Sequence, residues 1–378
     1  MTADTDRMLI SLSEEQAMLL DSAREFCRNR SDITSVRALL DSDAGFYREV
    51  WQELVSLGWM GVAIGEAHGG SGLGIGSAVP IAECMGRALL STPFFSATIA
   101  AQALVRGGSE QQQDRVLPGI VEGKIATVAL LESEDWGDES VALTATVVGD
   151  ELQLTGAKIH VVDAAVADWF VASVSVEGTP RLLLIDADAL APAAISPQVL
   201  IDETRRSARV DFTGARVPVG NLLPGDFDLV ISDLRLIAAL LHAAEATGSA
   251  FACIDTTVEY LTTRKQFGRL IGSYQALKHP TVEVLCAVED ARSFIYHAAS
   301  VIGEGPLEQE AEIACRMAKA QASEALKFAG DRAIQFHGAM GFTYECDAQL
   351  YIRRAQWLQQ AFGDAYHHRK RLAPLLLD

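Results

Sequence analysis

Two runs of this sequence carry residues suited to holding an anionic dinucleotide. The first is Tyr260–Lys278, YLTTRKQFGRLIGSYQALK, in which Arg264 stands three residues before Phe267. A guanidinium presents a rigid fork of donors that matches a diphosphate, and an aromatic ring beside it offers a flat apolar surface. The second run, IQFHGAMGFTYE, spans Ile334–Glu345. Gly338 and Gly341 would let a backbone approach a ligand without a Cβ in the way, and Gln335 lies one turn earlier with an amide to offer. Taken alone, those glycines fit a helix stop and tight turn equally well; their joint occurrence with RKQFG favours ligand contact.

Other candidates are weaker. Gly69, Gly70, Gly72 and Gly74 cluster in EAHGGSGLGIGS, but no strand-then-helix pattern frames them, so they read as a loop. His160 sits alone in a strand-like segment, without metal-ligand spacing, and a lone histidine of this kind is ordinarily a satisfied structural residue. No metal site is expected.

Three regions must position the two runs. From Ser13 to about Gly107 apolar residues recur at helical spacing, with Ser13 as a predicted N-cap and Met18, Leu19, Ala23 and Phe26 on one face. After Gly123 the period becomes that of strands, with a Gly149-Asp150 turn between alternating runs. Pro218, Gly220, Asn221 and Pro224 break the pattern, and long helices resume from Leu229 to the end. The expected class is α+β, with a helical domain at 1–118, a β domain at 119–226 and a helical bundle at 227–378.

Composition narrows the function. A chain of 378 residues, 49% hydrophobic and 21% charged, can bury more than one core. Its net charge of −19 repels nucleic acid and anionic membrane surfaces. The apolar stretch Leu229–Phe251 is interrupted by Asp233, Arg235, His242 and Glu245, which disfavours a membrane span. Six cysteines without a CxxC pair, after a polar opening, point to a reducing cytoplasm.

Both runs, in this order and around a strand domain, resemble the paired flavin-binding segments of the acyl-CoA dehydrogenase family, over essentially the whole chain. The resemblance implies an N-terminal helical bundle, a middle β-barrel-like domain, a C-terminal four-helix bundle and FAD as cofactor. It assigns Arg264, Gln266, Phe267, Tyr274 and Gln275, with Gln335, Phe336, His337, Gly338 and Ala339, to an FAD held mainly by a neighbouring subunit. The implied reaction takes a proton from the carbon next to a thioester carbonyl and passes hydride from the next carbon to flavin, giving a trans-2-enoyl-CoA. An electron-transfer flavoprotein or similar acceptor would then take the electrons.

The same resemblance exposes departures. Thr155–Ser173 is similar to the stretch lying against the family's flavin ring, but His160 and Val162 stand where an aromatic and a hydroxyl residue are usual. The preceding loop, LLESEDWGDES from Leu130 to Ser140, is acidic where the family is glycine-rich, and acids facing a diphosphate would repel it. The catalytic glutamate falls at Phe362 in one branch of the family and at Ala238 in another, so the catalytic assignment is none. Asp233, Glu245, Glu345 and Asp364 are the nearby carboxylates. The pattern resembles the base-lacking subunit of heteromeric actinobacterial dehydrogenases of the sterol side-chain type, which implies an α2β2 assembly with a catalytic sister chain. Two alternatives stay open: a homomeric flavoenzyme with a nonstandard base, and a non-catalytic scaffold.

Overall fold

The computed structural model describes residues 13–377 apart from Pro192. Helices come first: α1 (Glu14–Arg30), α2 (Ile33–Ala38), α3 (Arg48–Ser56), α4 (Ala78–Arg87), α5 (Phe94–Gly107) and α6 (Glu110–Val121). Ser13 starts α1 through a capping box in which its hydroxyl accepts from Gln16 N and the Gln16 side chain accepts from the Ser13 amide. That exchange satisfies two amides that the helix geometry leaves orphaned.

The strands follow as β1 (Ala126–Ala129), β2 (Thr144–Val148), β3 (Glu151–Thr155), β4 (Ala157–Val162), β5 (Trp169–Val176), β6 (Thr179–Asp186), β7 (Ile195–Gln198), β8 (Ser207–Asp211) and β9 (Arg216–Pro218). One sheet runs β1-β5-β2-β3-β9 with β6 on the other edge of β5, and a second runs β4-β8-β7. A bridge between Leu131 and Ile159 joins the two, which curls them around Leu152, Leu154, Phe170, Phe212 and their neighbours. Val148 pairs with Glu151, so Gly149-Asp150 forms the turn, and Gly149 supplies the positive φ of 65° there.

The third region is built on α7 (Phe227–Thr263), whose 37 residues contact α4, α5, α8 (Gln275–Val301), α9 (Gln309–His337) and α10 (Ala348–Gln360); α11 (Ala365–Leu377) closes the chain against α9. Two glycines set the α4–α7 crossing. A Cβ on Gly86 would lie 2.0 Å from the Glu245 carbonyl oxygen, and one on Gly248 would lie 1.8 Å from that of Glu83. Between α7 and α8 a small hairpin pairs β10 (Lys265–Gln266) with β11 (Arg269–Leu270).

The middle region is pinned to the helices by buried charge. Arg354 of α10 bonds Asp202 and Glu245, while Arg205 bonds the same Glu245 oxygen. All four side chains are nearly inaccessible to water. Among the described residues no helix is long and apolar enough to cross a membrane.

Candidate active site and cofactor surface

The two runs singled out in the sequence meet at one surface. A pocket of about 660 Å³ is lined by Arg264, Gln266, Phe267, Tyr274, Phe336, His337, Gly338 and Ala339, together with Tyr260, Ile271, Ala276, Leu277 and Met340. The join is aromatic: the Tyr260 and His337 rings stack with centroids 4.2 Å apart and planes 24° apart. His337 Nδ1 lies 2.7 Å from the Ala333 carbonyl, which fixes that ring. Gln275 and Gln335 are exposed beside the pocket and do not line it; the Gln335 carbonyl accepts the Gly338 amide that ends α9.

The hairpin tip is unusual. Phe267 has φ of 54° and Gly268 of 77°, the left-handed geometry of a tight hairpin turn, which a phenylalanine adopts only at a cost. Its ring is 91% exposed. The Arg264 guanidinium is exposed nearby, and no hydrogen bond or ion pair engages it among the described residues.

The second site is internal. A cavity of about 380 Å³ lies between α5, α7, the curled sheets and the chain around Phe362. Its wall includes Phe95, Ile99, Thr127, Trp136, His160, Val162, His242, Trp357 and Phe362. Here the acidic loop folds inward. Trp136 stacks on His160, 6.0 Å between centroids and 19° between planes, and also meets Trp357 at 5.6 Å and Phe362 at 5.4 Å. His160 thus has a partner for its ring, and its Nε2 lies 2.8 Å from Glu134. The loop acids do not face outward as an unbalanced group. Glu132 pairs with the buried Lys158, Asp138 accepts from Ser133, and Glu139 bonds Arg235 and Arg371.

Phe362 lines the cavity, while Ala238 is fully buried on α7 beneath it. His242 stands one turn after Ala238 on α7 and near Phe362. Its Nδ1 lies 2.7 Å from the Ala238 carbonyl, and its ring is 5.3 Å from that of Phe362. Burial pushes this histidine down to about 4, more than the nearby Glu245 raises it, so it is neutral at pH 7. A neutral ring with Nδ1 facing a carbonyl donates from Nδ1.

None of the four nearby carboxylates lines the cavity. Asp233 accepts from Arg106 at 2.7 Å and from the Leu307 amide. Glu245 is held by two arginines. Glu345 is exposed at the surface, and Asp364 caps α11 by accepting from the His367 amide at 2.7 Å. Each therefore has a structural role or faces solvent.

Known dehydrogenases share this layout of helices, curled sheet and helices. Residues 13–124 match the acyl-CoA dehydrogenase N-terminal domain and residues 233–376 the C-terminal domain, and the chain belongs to the acyl-CoA dehydrogenase family. Acyl-CoA dehydrogenase IpdE2 of Mycobacterium tuberculosis is 31% identical over 343 residues, covering 90% of this chain and 91% of that protein. Among solved structures, the ChsE4-ChsE5 complex from Mycobacterium tuberculosis aligns with a TM-score of 0.86 at 25% identity, over 98% of this chain and 99% of that one. The steroid ACAD Tcur3481-Tcur3483 aligns with a TM-score of 0.84 at 28% identity, over 97% and 98%.

FAD is the cofactor of this family, and the two sites differ in their fit to it. The surface pocket suits part of a dinucleotide: an unengaged guanidinium, an exposed ring, and Gly338 at φ 61° with open space where a Cβ would stand. In the internal cavity Trp136 stacks on His160 and so occupies the space over that ring. Nothing in the sequence signalled that contact, which joins a loop to a strand through aromatic rings 24 residues apart.

Proposed function

We propose that this chain is the partner subunit of a heteromeric FAD-dependent acyl-CoA dehydrogenase, α2β2 with a homologous sister chain that supplies the catalytic base. One observation supports the reading: Arg264, Phe267 and Gly338 meet at an outward-facing pocket, while in the inner cavity Trp136 stacks on His160 and none of Asp233, Glu245, Glu345 and Asp364 reaches the wall. Arg264 would hold the diphosphate of an FAD seated mainly on the sister chain, Phe267 would cover it, and the backbone of Gly338 and Ala339 would approach it. When bound, FAD accepts the hydride leaving the β-carbon of the acyl-CoA. Similarity to the steroid ACAD Tcur3481-Tcur3483 favours a bulky steroid-like acyl group. An electron-transfer flavoprotein is the proposed acceptor, and the cytoplasm the proposed location.

The test is to purify the chain alone and with its sister chain, and to record flavin absorbance and bleaching by acyl-CoA. Flavin and bleaching should appear only in the mixed complex, and Arg264→Ala should lower flavin retention there at least tenfold without dissociating the chains. A lone chain that holds flavin and bleaches would overturn the reading.

A second reading keeps the chain self-sufficient with His242 as base, since it bonds the Ala238 carbonyl and its ring is 5.3 Å from that of Phe362. A histidine held near 4 is a weak base for carbon acids, which places this reading second. In that case His242→Gln would abolish bleaching by the lone chain.

A further inference from the structure

The internal cavity is lined by apolar side chains and by arginines. Phe95, Ile99, Leu236 and Phe362 wall one side, and four arginines, Arg205, Arg235, Arg316 and Arg371, reach its wall against two carboxylates, Glu139 and Asp228. Arg205 is buried and packs over the Phe95 ring, whereas Arg235 and Arg371 reach solvent. Arg205 is committed to Glu245, and Arg316 to Glu312. The remaining two, Arg235 from α7 and Arg371 from α11, converge on a single oxygen, Glu139 Oε1, at 3.0 and 2.9 Å. Arg235 also donates to the Asp138 carbonyl at 3.4 Å.

Glu139 belongs to the same loop as Trp136, and both line the cavity. Its side chain is 57% exposed, and those of Arg235 and Arg371 are 30% and 51% exposed. Ion pairs this accessible are weak because water screens them and the long side chains lose freedom in forming them. Two guanidiniums sharing one carboxylate oxygen still have donors to spare, since each carries five N–H groups.

We propose that this cavity is a binding site for an apolar carboxylic acid, and that Glu139 holds the place of the ligand's carboxylate until the ligand displaces it. The incoming carboxylate takes Arg235 and Arg371 in paired fashion. Its hydrocarbon body enters between α5 and α7 and displaces water from the apolar wall. Release of Glu139 frees the loop, and Trp136 moves off His160. The ligand is bound and not transformed, so no electron or group transfer is involved. The site is separate from the outward-facing FAD pocket and is present in the chain without its partner.

The test uses the full-length chain, with octanoate, octyl phosphate and octanol titrated against tryptophan fluorescence. Octanoate should change the emission, and the Trp136→Phe variant should lose most of that change although four other tryptophans remain of the five in the chain. Octanol should bind at least tenfold more weakly than octanoate. Glu139→Gln should tighten octanoate about fivefold, and Arg371→Gln should weaken it about tenfold while leaving octanol unchanged. Thermal melts of both variants check that they fold. Equal binding of octanol and octanoate would overturn the proposal, as would unchanged or weakened octanoate affinity in folded Glu139→Gln. Octyl phosphate binding tenfold or more tightly than octanoate would overturn the carboxylic acid in favour of a phosphate ester.

Discussion

Glu245 shows how a residue that resembles a candidate base is spent on structure. Its Oε1 accepts from Arg205 and Arg354, while Oε2 and Arg205 Nε are buried without partners. Removing one member of a buried charged set leaves the others unpaired in a low-dielectric interior, which costs about 3–5 kcal/mol. Glu245→Ala should lower the unfolding free energy by that amount in urea titration, whereas Glu345→Ala, at the exposed surface, should change it little. Lys319 provides a pH-dependent counterpart. It is buried, donates to the Leu358 carbonyl at 2.6 Å and the Gly363 carbonyl at 3.0 Å, and so holds the turn bearing Phe362. Burial pulls it down to about 7 from the usual lysine range, with Asp364 opposing that shift. Between about pH 7 and 10 the unfolded chain therefore binds a proton at this lysine that the folded chain does not, and stability from this group rises with pH across that window. The difference in unfolding free energy between the natural chain and Lys319→Met should grow in favour of the natural chain from pH 7 to 9. A difference that is flat or shrinks would contradict the assignment.

At the scale of the element, the β10–β11 hairpin carries strain where cofactor contact is proposed. Phe267 sits at φ 54° with its ring 91% exposed, so the fold gains almost nothing from the side chain. Phe267→Asn should stabilise the lone chain by up to about 1 kcal/mol, because asparagine tolerates that conformation better, and should reduce flavin retention in the mixed complex. Parallel melts and flavin titrations would check both halves. The hairpin itself was not legible in the residues, whereas Ser13 and Gly149-Asp150 announce a helix start and a turn within a few positions. What stayed hidden depends on contacts between distant segments. Glu139 meets Arg371 across 232 residues, Glu245 meets Arg354 across 109, and the orientation of the acidic loop is decided by Trp136 finding His160, Trp357 and Phe362. Periodicity and spacing describe one segment at a time and cannot supply such partners.

For the whole molecule, the two sites imply a division of labour that stability can report. A ligand stabilises a fold only through its affinity for the folded state, by an amount that grows with the ratio of its concentration to its dissociation constant. The outward pocket is open, with Phe267, Met340 and Phe342 exposed around it at 91%, 53% and 71%. Such apolar exposure next to an unengaged Arg264 suits a surface completed by another chain. FAD added to the lone chain would meet only part of its contacts and should leave the melting temperature nearly unchanged. FAD added with the sister chain should raise it, and at a hundredfold excess over the dissociation constant the gain is about 2.7 kcal/mol. Arg264→Ala should remove most of the FAD-dependent part and leave the FAD-independent shift from chain association in place. A large shift from FAD alone would mean that this chain contains a whole flavin site, with Trp136 displaced from His160 to admit it.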